Sequence, residues 1–384
     1  MTGARKHING WWLTSLLLAM LTVCIGCSSE SGESTPEPDP VLTFYVYAPE
    51  RPMMTRAGDD VLATEEENKI HNLQIWVFET VTGNLVGYLK PDTYPNSETG
   101  TVYQMNVSKD FANKPEKPNV DVYVLANAAA AGMSSLGKTT TRTDLEAAKM
   151  GSSYFGVEAP ASKISEDRGL PMSGVLRNQE VKGDNPILRI GSSNLNEMAR
   201  VRLLRMVSKV RFVFSRKTGD ETVSITGITI DGNMIPTEEF VFLNGDTYHI
   251  GDSFESLSAT LLTKNISDVN HCENPSIYAY NDQNAQEYET LIDGGVTDEA
   301  LTQRGPYFFK ETDKKVSGTI TYRVGNASAQ TVPFFMTVED INKRFVRNHS
   351  WIVYAYFNGS TGEPIISVWV DTNWQAGDHF VINN

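Results

Sequence analysis

The chain has 384 residues, of which 40% are hydrophobic, with 29 Gly and 17 Pro. That composition excludes collagen-like and wholly disordered chains and leaves room for two domains of ~150 residues each. The formal charge of −14, from 33 basic and 47 acidic residues, lacks the basic footprint of a nucleic-acid binder, and three cysteines are too few for a disulfide scaffold.

The N-terminus has the layout of an export signal. Arg5, Lys6 and His7 give a positive start, and an apolar run from Trp11 to Val23 follows. The run is short for a bilayer-spanning helix, which needs ~20 apolar residues. It ends on Cys24-Ile25-Gly26-Cys27 and then Ser28-Ser29. A small residue before a cysteine resembles the lipobox of bacterial lipoproteins, with Cys27 as the lipidated first residue of the mature chain. Cys24 stands where that motif usually has leucine. Cleavage there also removes Cys24, so Cys272 remains as the one free thiol, expected to be buried and inert. Residues 28–40, SSESGESTPEPDP, have no large apolar side chain and read as an extended, solvated tether.

From residue 41 onward, short runs of alternating character dominate. Val41–Tyr47, Leu73–Phe78, Val120–Leu125, Val207–Phe214, Val223–Ile230, Gly318–Val324, Trp351–Phe357 and Ile365–Val370 are the predicted strands. Turn signals separate them at Thr82-Gly83-Asn84, Asp231-Gly232-Asn233, Asn244-Gly245-Asp246 and Asn358-Gly359-Ser360. Helical signal is confined to Thr143–Met150, with an N-cap, and a turn at Thr337–Lys343. The pattern predicts an all-β fold of sandwiches, with a boundary near 195–203.

Chemical motifs are few. Gly132-Met133-Ser134-Ser135-Leu136-Gly137-Lys138-Thr139 matches the phosphate-binding pattern G-x-x-x-x-G-K-[ST]. The β-branched Thr139, Thr140 and Thr141 are poor helix starters, and strands and helices do not alternate as the parallel-sheet nucleotidases require. The match reads as chance. The six histidines show no i, i+4 pair, and His271-Cys272-Glu273 places potential ligands on opposite sides of an extended chain. No metal, no cofactor and no catalytic residue is assigned, and no G-x-S-x-G nucleophile turn occurs. The segment Pro52–Asp60 sets Arg56 among small and turn-forming residues just after a strand, in the sort of exposed stretch where proteases cut.

The order of these features resembles the Bacteroidales fimbrillins, the subunits of type V pili. The resemblance rests on the lipobox at Cys27, a strand followed by Thr55-Arg56-Ala57, IHNLQIWVF at 70–78 and VYVLANA at 122–128. It continues with LPMSG at 170–174, LLRMVSKVRFV at 203–213, Arg347-Asn348-His349-Ser350 and Trp374. It implies two tandem transthyretin-like β-sandwiches. The segments would be a signal peptide at 1–26, a tether and removable strand at 27–56, and sandwiches at 57–200 and 201–384. It implies a lipoprotein precursor in the outer membrane, cut by an arginine-specific protease between Arg56 and Ala57, and then a fimbrium on the cell surface built with other fimbrial subunits. No nucleic acid is implied.

Loss of Leu42, Phe44 and Val46 with the first strand would open an apolar slot and an unpaired row of backbone groups, a template for strand addition. The candidate donor is the C-terminal segment, with Ile366, Val368 and Val370 on one face and Phe380 and Ile382 continuing it. Its other reading is the last strand of its own domain. A stalk subunit is the leading expectation, with tip and anchor roles as alternatives. A surface glycan-binding lipoprotein using Trp76, Tyr94, Tyr103, Tyr278 and Tyr280 is a further alternative.

Overall fold

The computed structural model describes residues 38–49, 65–95, 100–155, 168–217, 221–243, 250–262, 264–272, 302–336, 345–357, 364–371 and 380–383. The described residues from 39 onward group into one compact unit. The chain is almost entirely β. In the first half the strands are β1 (Val41–Tyr47), β2 (Leu73–Glu79), β3 (Leu85–Leu89), β4 (Thr101–Asn106), β5 (Val120–Ala126), β6 (Lys149–Met150), β7 (Met172–Gln179), β8 (Val181–Lys182), β9 (Ile187–Ile190), β10 (Arg200–Arg202) and β11 (Leu204–Arg205). The second half carries β12 (Val207–Lys217), β13 (Val223–Ile230), β14 (Glu239–Phe240), β15 (Ala259–Thr260), β16 (His271–Cys272), β17 (Thr302–Lys310), β18 (Val316–Val324), β19 (Gln330–Met336), β20 (Ser350–Phe357), β21 (Pro364–Asp371) and β22 (Phe380–Asn383). The α-helices among the described residues are single turns or little more: α1 (Glu65–Asn68), α2 (Lys109–Ala112) and α3 (Arg142–Ala147).

Four sheets form the body. The first runs β10-β1-β9-β8, with β4 on the other side of β1, and the second runs β11-β7-β5-β2-β3. Their inward side chains meet in one core, which includes Leu42, Phe44, Val46, Ile75, Val122, Tyr103, Met105, Leu188 and Val201. The third runs β16-β12-β20-β21-β22 with β17 beside β12, and the fourth runs β15-β13-β18-β19. Between them lies a second core, containing Val210, Phe212, Ile225, Ile320, Phe334, Trp351, Val353, Ile366 and Val368.

The expected strands all form, because alternation and β-branched content already suit a pleated, half-buried surface. β2 and β5 are buried along their whole length rather than on alternate residues. The extra cover comes from the segment 128–147. Trp76 Nε1 donates to the Gly137 carbonyl at 2.8 Å, and Leu145 of α3 joins the first core. α3 begins at a capping box, with the Thr141 hydroxyl and the Asp144 carboxylate each bonding the other's backbone N–H. This segment contains the phosphate-binding look-alike. Gly137 N–H donates to Thr140 Oγ1 at 2.9 Å, so its loop closes on itself and on Trp76. The expected turn at Thr337–Lys343 lies outside the described residues.

Candidate functional site: the first strand and a charged seam

β1 is an interior strand. Along its length it pairs antiparallel with β4, from Val41 opposite Asn106 to Val46 opposite Thr101. Its other side is shared by two parallel partners, β9 over Val41–Thr43 and β10 over Tyr45–Tyr47. Val41 N–H donates to the Pro186 carbonyl at 2.8 Å, and Leu203 N–H donates to that of Tyr47 at 3.0 Å. Leu42, Phe44 and Val46 are each fully buried in the first core. The sequence had suggested one unpaired row of backbone groups after loss of this strand. The geometry gives two, one on β4 and one on β9 and β10, because β1 fills a slot in mid-sheet.

The positions singled out around β1 fall in different places. Cys27, Arg56 and Ala57 lie outside the described residues, as do Tyr278 and Tyr280. Ile366 and Val368 of β21 are buried in the core of their own half, so this part of the donor candidate is a structural strand here. β21 pairs with β20 over eight residues, from Pro364 opposite Phe357 to Asp371 opposite Ser350. Val370 shares that ladder. Phe380 and Ile382 lie on β22, which among the described residues pairs with β21 at the end of the sheet order. Two aromatics proposed for glycan stacking are also corrected. Trp76 is fully buried and Tyr103 nearly so, its hydroxyl donating to the Thr93 carbonyl at 2.7 Å. Tyr94 remains partly exposed and donates to the His71 carbonyl.

A second constellation was not read from the sequence. Between the two cores runs a seam of buried charge. Lys209 of β12 meets Glu67 of α1 at 2.8 Å, both almost completely buried. Arg205 donates to the Asn348 side-chain oxygen at 2.9 Å, to the Glu67 carbonyl at 3.3 Å, and to Asn68. Arg347 contacts Glu239 at 2.7 Å and Glu311 at 2.9 Å, and also donates to the carbonyls of Val241 and Phe240. Two carboxylates therefore face one guanidinium. Burial pushes the Glu239 carboxyl up to about 8, against the opposing pull of Arg347. Burial also drives His349 down to about 4.

The seam gives physical roles to segments that carry the fimbrillin resemblance. Lys209 and Arg205 belong to LLRMVSKVRFV, and Arg347, Asn348 and His349 lead β20. Asn348 takes φ +62°, a left-handed conformation that Asn tolerates better than most residues. Asn127 of VYVLANA, at φ +57°, is a second hub. Its side chain donates to the Lys69 and Leu170 carbonyls and accepts from His71 N–H. It thus ties the start of β2 to LPMSG.

Residues 52–203 match the family model of the major fimbrial subunit protein, FimA. The chain carries a fimbrillin domain. The match begins after β1 and ends at Leu203, so it covers most of the first sandwich-like half. A proposed cell adhesion protein from Parabacteroides distasonis shares the fold, with 15% identity and a TM-score of 0.51 over 89% of this chain and 96% of that one. Weaker likenesses run to the tip fimbrial protein Mfa3 of Porphyromonas gingivalis (14% identity, TM-score 0.47, 90% and 100% coverage) and to a fimbrial assembly protein of P. distasonis (13%, 0.47, 90% and 99%). No curated protein matches the chain. The family match over residues 52–203 agrees with the all-β architecture of that half.

Proposed function

We propose that this protein is a non-enzymatic fimbrial subunit that is exported as a lipoprotein through Cys27, cut between Arg56 and Ala57, and polymerised by strand exchange into the slot of β1. The observation that carries this reading is the position of β1. It is an interior strand by pairing, yet it is the first strand among the described residues and lies outside the family match. Release of residues 27–56 would withdraw three buried apolar side chains and both flanking ladders, leaving β4 and β10, whose ladder partner among the described residues is β1, open for a replacement strand.

An incoming strand regains what is lost. It would run antiparallel to β4 and parallel to β9 and β10, and would need apolar residues at alternate positions to refill the places of Leu42, Phe44 and Val46. Burial at ~25 cal/mol per Å² plus main-chain hydrogen bonds makes such a link durable. A head-to-tail contact of this type does not close, so it extends a filament. The donor piece that costs least to detach is the end of the chain beyond Asp371, including Phe380 and Ile382, since Ile366 and Val368 stay in their own core. We retain segments 57–200 and 201–384 as the two sandwiches.

The test is digestion of the purified protein with an arginine-specific protease, reading the new N-terminus by mass spectrometry and the assembly state by light scattering. A new N-terminus at Ala57 with release of the β1 fragment and appearance of multimers is expected, and Arg56→Gln should abolish all three. A stable, uncut monomer would overturn the maturation scheme. A clean cut without multimers would instead assign the chain to a tip that needs a different subunit as donor.

A further inference from the structure

The slot of β1 is not uniform along its length, because register gives each inward side chain its own walls. Leu42 lies opposite Met105 on β4 and Leu188 on β9, and Val46 lies opposite Thr101 and Val201. Phe44 lies opposite Tyr103 on one side and has no register partner on β9 or β10. It stands where β9 has ended and β10 has not begun. There Tyr45 N–H donates to the Ala199 carbonyl at 3.1 Å, and Ala199 N–H donates to that of Ile190 at 2.8 Å. Phe44 is fully buried at this junction and shares the first core with Ile190 and Tyr103.

Both margins of the slot are held by packing that does not involve β1. Gly87 of β3 leaves no room for a Cβ beside the Met105 sulfur. A Cβ on Gly174 of β7 would meet the Arg202 carbonyl oxygen at 2.7 Å and Val201 Cγ1 at 2.9 Å. Bare backbone thus lets β4 and β10 approach the second sheet closely. The depth of the core lies between these margins, under β1, and Phe44 is the largest side chain that β1 sends into it. β1 also carries a defect. Thr43 lies on its other face, yet it is only 3% exposed, and its hydroxyl has no hydrogen-bond partner among the described residues. A desolvated hydroxyl without a partner weakens the fit of the strand, and a valine of the same shape would not.

We propose that the slot selects its occupant at the centre. The donor is an extended segment of another fimbrial subunit that brings an aromatic ring to the place of Phe44, aliphatic side chains to those of Leu42 and Val46, and no unpaired hydroxyl to that of Thr43. Close-packed interiors register small changes in volume, so an apolar strand with a small central residue leaves a void at the junction of β9 and β10. A ring moved to the place of Leu42 overpacks the space between Met105 and Leu188. This selectivity rests on strand exchange into the slot. Residues 378–382 of a second copy, running as β1 does, offer Phe380 to the centre and Ile382 to the place of Val46, but Asp378 to that of Leu42. A second copy is therefore a partial match, and a subunit with an aliphatic residue at that place is the stronger occupant.

The experiment uses the full chain with a site-specific protease sequence inserted after Arg56, which opens the slot whether or not Arg56-Ala57 is the natural cut. Failure of the natural cut then counts against the maturation scheme alone. The cut chain is confirmed by mass spectrometry and mixed with synthetic peptides, and displacement of the N-terminal fragment is followed by native mass spectrometry. The peptide of residues 38–49 should displace it. Phe44→Ala in that peptide should weaken binding by about a hundredfold or more, and Val46→Ala by about tenfold. The transposed pattern, Leu42→Phe with Phe44→Leu, keeps the composition and should still cost about tenfold or more. Thr43→Val should tighten binding by about tenfold. The peptide of residues 372–384 should bind more weakly than that of 38–49, and Asp378→Leu should strengthen it by about tenfold. Equal binding of the native and transposed patterns would overturn the proposal, as would a Phe44→Ala peptide no weaker than the Val46→Ala one. Failure of the 38–49 peptide to enter the cut chain would overturn it outright.

Discussion

At the scale of single residues, the buried charges have the largest consequences. Lys209 and Glu67 gain each other only because each has lost water, and one without the other is an uncompensated charge in the interior. Lys209→Met should therefore destabilise by about 3–5 kcal/mol in denaturant unfolding. The double change Lys209→Met with Glu67→Met should recover most of that loss, since a buried pair replaced by apolar groups of similar size is often neutral. A double variant as unstable as the single one would mean that the Arg205 bonds, not the pair, hold α1. His349 makes a separate prediction in pH. Its folded value near 4 lies below its ordinary value of 6.5, because burial disfavours the imidazolium. The unfolded chain thus takes up the proton first as pH falls. His349 contributes stability that is present above about pH 6.5 and is lost as pH falls toward 4, up to about 3 kcal/mol. Thermal midpoints measured from pH 7 to pH 4 should fall less steeply for His349→Asn than for the native chain.

At the scale of elements, β22 and β21 should behave differently although they are neighbours in one hairpin. Among the described residues β22 has one partner, at the end of the sheet order, whereas β21 inserts Ile366 and Val368 into the second core. Truncation after Asp371 should leave the thermal midpoint within a few degrees, while Val368→Asp should unfold the second half, read by circular dichroism. The contrast also shows what was legible in the residues. The strands announced themselves through alternation, and Ile366, Val368, Phe380 and Ile382 all had the right period for either role. Period gives a strand its face but not its partners. That β1 would lie between β4 and the split pair β9 and β10, rather than at an edge, depends on pairings as near in sequence as Val46 with Thr101 and as far as Tyr45 with Arg200. The full burial of β2 and β5 was hidden because their second face is covered by segment 128–147, which has too little regular pattern of its own to announce that packing. The charged seam was masked by apolar neighbours. Lys209 and Arg211 stand in VSKVRFV among side chains that mark a core strand, and such cations ordinarily read as facing water. The one available signal was their density within a fully apolar run.

At the scale of the whole molecule, the two cores are interlocked rather than strung together. The chain crosses from one half to the other near residue 205, yet Val241, Phe242 and Phe308 from the second half complete the first core. Phe242 packs edge-on against Tyr123 with centroids 5.2 Å apart, and Ser173 Oγ donates to the Val241 carbonyl at 2.6 Å. β14 pairs with β6, which joins the halves through a short ladder. Around these contacts the seam sets Lys209 on Glu67 and Arg347 on Glu239 and Glu311. Removing one half would leave the other with an apolar scar and several unpaired ions, so neither has an independent folded state of comparable stability. Calorimetry of the intact chain should accordingly give one cooperative transition over residues 39–384, with the calorimetric and van't Hoff enthalpies equal. Arg347→Met, which strands two buried carboxylates, should lower that transition and split it in two, because the contacts it severs lie on the seam and not within either core. A subunit joined this way transmits a pull from one half to the other through paired charges and packed rings rather than through a flexible linker. Two separate transitions in the unmodified chain would show instead that the halves unfold as independent beads.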